Sequence, residues 1–110
     1  MYALFNDFLF SKYYSLIMLL TNFMQLAANL TDDTSFYIKT EPLQALGKIQ
    51  LLADKAVLLP GETPLNKGKL FKILSQAHNR ALPLRIKLNS QEIIPFGLQL
   101  RPKKRQAILM

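Results

Sequence analysis

Polar residues recur at helical spacing through the first thirty positions. Asp7, Ser11, Ser15, Asn22, Gln25 and Asn29 stand three, four or seven residues apart, the period of an α-helix. Wound as a helix they form one narrow polar stripe, broken at Met18, with Phe, Tyr, Leu, Ile and Met over the remaining circumference. The pattern predicts a long apolar helix over 2–30. A membrane span is a poor fit, because the longest unbroken apolar run is Leu16–Leu20 and crossing takes about 20 predominantly apolar residues. A signal peptide fits no better, with acidic Asp7 where a basic stretch belongs. A wide apolar face instead suits packing on the rest of the chain, on a second copy, or flat on a membrane surface. Lys12 is the only cation in the segment, whereas membrane-surface helices carry several.

The period changes after "NLTDDTS" (29–35), a loop by composition with Asp32 and Asp33 as turn residues. "SFYIKT" (35–40) is aromatic and β-branched and predicts a short strand. Residues 41–59 fit two templates. In a helix, Thr40 caps, Pro42 occupies the first turn, and Leu43, Leu46, Ile49, Ala53 and Ala56 share a face. Gly47 would then cost about 1 kcal/mol against Ala. In the alternative, "KIQLL" and "AVLL" are two strands around an "ADK" turn. The helix is the preferred template, and Pro60-Gly61 ends the segment in either case.

The clearest helical pattern covers 66–81. Leu70, Ile73, Leu74, Ala77 and Ala81 form its apolar face, and Lys69, Lys72, Gln76 and Arg80 form a separate stripe. Asn66 is a good N-cap. Lys67 and Lys69 then stand at the positive end of the helix dipole, where acids are preferred. With Gly68 allowing close approach and N–H groups free in the first turn, "NKGK" is a candidate phosphate site. Residues 82–104 alternate and predict a C-terminal β-hairpin. Leu84, Ile86 and Leu88 face inward in one arm, Ile94, Phe96, Leu98 and Leu100 in the other, with "NSQE" as the turn. Phe71 and Phe96 are assigned to the core. Arg85, Lys87, Gln99 and Arg101 would share the outer face and run on into Lys103, Lys104 and Arg105.

Charge sharpens that picture. Residues 1–62 carry four Lys against six acids, net −2, while residues 63–110 carry ten Lys or Arg against Glu92 alone, net +9. Such asymmetry points to a polyanionic partner for the second half. The chemistry of enzymes is thinly represented. There is no Cys and one His, His78, which sits beside Asn79 and Arg80 away from any nucleophile or paired carboxylate. Thiolate metal sites and disulfides are excluded, no metal site or cofactor is expected, and no Gly-rich nucleotide loop occurs.

The expectation is an α+β protein: a long apolar N-terminal helix, a basic amphipathic helix and a C-terminal antiparallel hairpin. Its segments would be an apolar 1–30, a small α+β domain over 31–105 and a tail over 106–110. The expected function is non-enzymatic: a small basic accessory protein, cytoplasmic, binding DNA or RNA non-specifically through phosphates, or a basic subunit of a nucleoprotein assembly. The residues expected to do so are Lys67, Lys69, Lys72, Arg80, Arg85, Lys87, Arg101, Lys103, Lys104 and Arg105. The alternative is an interaction protein tethered to a membrane surface or a larger complex through 2–30, the segment also expected to mediate self-association or partner docking.

Overall fold

Strands dominate the residues described, 18–110 of a computed structural model. In chain order the elements are α1 (Leu20–Ala27), β1 (Ser35–Ile38), β2 (Gln44–Leu51), β3 (Ala56–Gly61), α2 (Lys67–Leu74), β4 (Leu84–Leu88), β5 (Gln91–Ile93), β6 (Leu98–Arg101), a 3-10 turn (Pro102–Lys104) and β7 (Gln106–Leu109). All seven strands belong to one sheet in the order β5-β4-β3-β2-β1-β7-β6. The β1–β7 and β3–β4 pairs are parallel and the other four antiparallel.

The connection from β5 to β6 shows that this sheet curls. These strands are its two edges, yet only residues 94–97 join them. Five residue steps reach at most about 18 Å, whereas six inter-strand gaps laid flat would part the edges by about 29 Å. The edges must bend toward each other, and the sheet is a half-barrel. One face carries both helices. Leu20, Phe23 and Ala27 of α1 and Leu70 and Leu74 of α2 join Phe36, Ile38, Leu46, Leu58, Leu84, Ile86, Ala107 and Leu109 in a single core. Phe23 and Phe36 meet with ring centroids 5.8 Å apart in a tilted pair.

The long N-terminal helix is not what forms. The expectation over 1–17 lies outside the described residues, and α1 spans only Leu20–Ala27. The chain before it is extended: Leu84 N–H donates to the Met18 carbonyl at 2.7 Å, and Leu20 N–H donates to the Leu82 carbonyl at 2.8 Å. Residues 18–20 thus lie against the start of β4, and backbone pairing there outweighs helical propensity. The Asn22 side chain accepts from Leu19 N–H at 2.9 Å and starts the helix one residue later. Asn22, Gln25 and Asn29 do face solvent.

Residues 41–59 are a hairpin, not a helix. The i, i+3 spacing of Leu46 and Ile49 comes from a bulge. Leu46 pairs with Pro60 and Lys48 with Leu59, leaving Gly47 as the extra residue. The bulge shifts the alternation, so Leu46, Ile49 and Leu51 all reach the core. The Thr40 hydroxyl donates to the Pro42 carbonyl at 2.7 Å in the turn after β1 rather than capping a helix.

The predicted C-terminal hairpin is also redrawn. Asn89 and Ser90 have φ of 49° and 69°, the doubly left-handed turn that folds two strands tightly together. The turn brings Gln91–Ile93 straight back onto β4. Residues 94–97 are not strand, and Phe96 is 65% exposed rather than in the core. β6 pairs instead with β7, the stretch read as a tail, whose Ala107, Ile108 and Leu109 are fully buried. The basic helix forms but stops at Leu74; the Ser75 hydroxyl bonds back to the Lys72 carbonyl at 2.8 Å.

Candidate nucleic-acid interface

The two basic motifs meet at the start of β1. β1 and β2 pair only at Tyr37–Ala45 and Ile38–Gln44. Beyond that the strands part and Leu65 fills the gap, donating to the Leu46 carbonyl at 2.8 Å and accepting from Phe36 N–H at 3.0 Å. Leu65 sets Asn66 in bridge pairing with Ser35, so α2 begins beside β1. On the other side of β1, Ser35 N–H donates to the Arg105 carbonyl at 2.9 Å. Arg105 adopts φ 52° to close the turn between β6 and β7. "NKGK" and "RPKKR", some thirty-five residues apart in sequence, therefore flank one residue.

Between them stands the loop 31–34. Thr31 Oγ1 donates to Asp33 Oδ1 at 2.6 Å and lies 3.0 Å from Thr34 Oγ1, and Thr34 is buried. The other oxygen of Asp33 accepts from Arg105 Nη1. Asp32 and Asp33 line a shallow, open hollow of about 410 Å³ together with Asn66, Gly68, Lys69 and Lys72. Lys69, Lys72, Lys103, Lys104 and Arg105 are exposed, and Arg101 is half-buried. The Thr31 hydroxyl foremost, helped by the Arg105 charge and hydrogen bond, holds the Asp33 carboxyl below its ordinary range against an opposing desolvation. A lowered carboxylate stabilises the fold at neutral pH, and that contribution is lost as the pH falls through the lowered value.

The first turn of α2 has no N–H to offer an anion. Lys67 N–H donates to the Thr34 carbonyl at 2.9 Å, Gly68 N–H to the Asp32 carbonyl at 3.1 Å, and Lys69 N–H to Asn66 Oδ1 at 2.9 Å. Asn66 is the expected N-cap. The expected backbone phosphate cradle is closed by the protein's own loop, and what faces outward is lysine side chains. Lys67 is turned elsewhere. Its Nζ donates to the carbonyls of Ala28 and Leu30 at 2.7 and 2.8 Å and lies 5.1 Å from the Phe71 ring centroid. A cation at the unfavourable end of α2 is thus a cap at the favourable end of α1.

The remaining cations stand apart from this cluster. Arg80 lines a small hollow with Thr21, Met24 and Gln25 of α1 and Ala28 just after it. Arg85 and Lys87 are on β4, which pairs with β3 and β5 and not with β6, so they do not share a ribbon with Gln99 and Arg101. Arg85 Nη1 bonds the Leu84 carbonyl at 2.9 Å. Lys87 stands opposite Glu92, whose carboxyl is ion-paired with Lys55 and held below its ordinary range chiefly by that bond. Sequence reasoning took Asp33 as a turn residue and missed its bond to Arg105. The only local signal was the threonine two residues before it.

Among the described residues no group of three or more His, Cys, Asp or Glu could hold a metal ion, and no helix is long and apolar enough to cross a membrane. No family model, no curated protein and no solved structure matches this chain.

Proposed function

We propose that the chain is a small basic accessory protein that binds nucleic acid non-specifically through phosphate contacts, alone or as a subunit of a nucleoprotein assembly. The interface consists of Lys69, Lys72, Arg101, Lys103, Lys104 and Arg105. The observation that carries this reading is the double flanking of Ser35, which brings two basic motifs distant in sequence to either side of one residue. Cations clustered on one surface attract a phosphate backbone and gain affinity by releasing its counterions. Phosphate contacts orient a protein without reading sequence, and no aromatic side chain of this cluster offers a base a stacking platform. The role is binding rather than catalysis, and a cytoplasmic location goes with it.

The test is a salt titration of duplex DNA and RNA binding by the full chain and by a variant with Arg101, Lys103, Lys104 and Arg105 changed to Gln. Binding should weaken almost equally for all sequences. The log K against log salt slope should flatten by about 0.9 for each phosphate of duplex DNA that the variant no longer neutralises. Adding Lys69→Gln and Lys72→Gln should deepen the effect, while Arg85→Gln with Lys87→Gln should do less. Wild-type protein that shows no salt-dependent binding at low ionic strength overturns the proposal.

A further inference from the structure

Asp33 places a negative charge inside the cationic surface, and two contacts fix it there. Thr31 Oγ1 holds one carboxylate oxygen at 2.6 Å, and Arg105 Nη1 bonds the other. Arg105 is itself fixed by its backbone. Its N–H donates to the Pro102 carbonyl at 3.1 Å, its carbonyl accepts from Ser35, and its φ is 52°. The guanidinium is therefore presented at Asp33 by a closed turn. Other charges accompany the pair. Asp32, Lys69 and Lys72 stand around the same hollow, and Lys103 and Lys104 lie in the turn that precedes Arg105.

We propose that Asp33 is an internal competitor for the phosphate that Arg105 would otherwise take, an autoinhibitory contact that lowers the affinity of this surface for polyanions. The inference rests on the nucleic-acid reading above and adds its regulation. A guanidinium binds carboxylate and phosphate through the same forked donors. A phosphate reaching Arg105 must therefore displace Asp33, and the freed carboxylate stays in the loop 31–34 as a repelling charge. The pair is exposed, with side chains 67% and 53% accessible, so exchange of partner needs no rearrangement of the core. Whatever removes the charge of Asp33 releases Arg105 for the ligand.

The experiment measures binding of a duplex DNA fragment across a salt series for the full chain, Asp33→Asn, Arg105→Gln, the double variant and Asp54→Asn. Asp54 lies in the turn between β2 and β3, and its substitution reports the effect of net charge alone. Asparagine keeps an oxygen to accept from Thr31, and a urea midpoint close to that of wild type shows the loop intact. Asp33→Asn should tighten binding roughly five- to tenfold at about 0.1 M salt and steepen the log–log slope by about 0.9, the increment of one additional neutralised phosphate. In the Arg105→Gln background the gain should vanish. A gain no larger than that of Asp54→Asn, or one that persists without Arg105, overturns the inference and leaves the nucleic-acid reading standing. Wild type failing to show salt-dependent binding at low salt overturns both.

Discussion

Lys67 shows how one side chain can contradict its local sequence and still be well placed. At the first position of α2 it meets the positive end of a dipole, yet its ammonium satisfies the last carbonyls after α1 at Ala28 and Leu30. Those carbonyls have no intrahelical donors, and a charged donor to each is worth more than a neutral one. Lys67→Ala should therefore destabilise the protein by about 1–2 kcal/mol, and Lys67→Glu by more, although the dipole of α2 taken alone would favour the acid. Urea unfolding checks the sign. Lys69, exposed beside it, is the contrast: Lys69→Glu should leave the midpoint nearly unchanged.

Two glycines explain the β2–β3 hairpin as an element. At the bulge the backbones of Gly47 and Gly61 lie in direct contact. A Cβ on Gly47 would stand 2.5 Å from the Gly61 Cα, and a Cβ on Gly61 would stand 2.8 Å from the Gly47 Cα. Neither neighbour can swing aside, because each is main chain. Gly47→Ala and Gly61→Ala should each cost about 1–3 kcal/mol through forced backbone displacement. Gly97→Ala is the control: its Cβ would meet only the Met110 Cε at 3.7 Å, an ordinary contact. Thermal melts of the three variants separate close approach from the general effect of replacing a glycine. The same bulge set Leu46 and Ile49 three apart and so imitated a helix.

For the molecule as a whole the decisive element is β7. It is hydrogen-bonded to β1 on one side and β6 on the other, and Ala107 and Leu109 belong to the core. Without it β6 has no partner and the Ser35–Arg105 junction comes apart. Deleting 106–110 should abolish cooperative unfolding. Leu109→Ala should cost about 2–5 kcal/mol, as a buried leucine does, measured by the urea midpoint. The opposite finding, a deletion variant with wild-type stability, would make 106–110 the disposable tail its position suggests.

Composition and local pattern determined a good deal by themselves. The strand at 35–38, the Asn66 cap, the apolar face that buries Leu70 and Leu74 and the basic second half are all set by neighbours within a few residues. Each depends on short-range sterics, capping or charge, which the chain carries in any fold. Tertiary structure decided the rest. Met18 and Leu19 are extended because residues 82–84 offer them backbone partners, "QAILM" is buried because β1 and β6 flank it, and residues 41–59 are strands because Gly47 finds Gly61. The candidate surface divides the same way. That "NKGK" and "RPKKR" are basic is plain from their letters, but only a sheet that parts to admit Leu65 sets both beside Ser35, because hydrogen bonds between distant strands have no period along the chain.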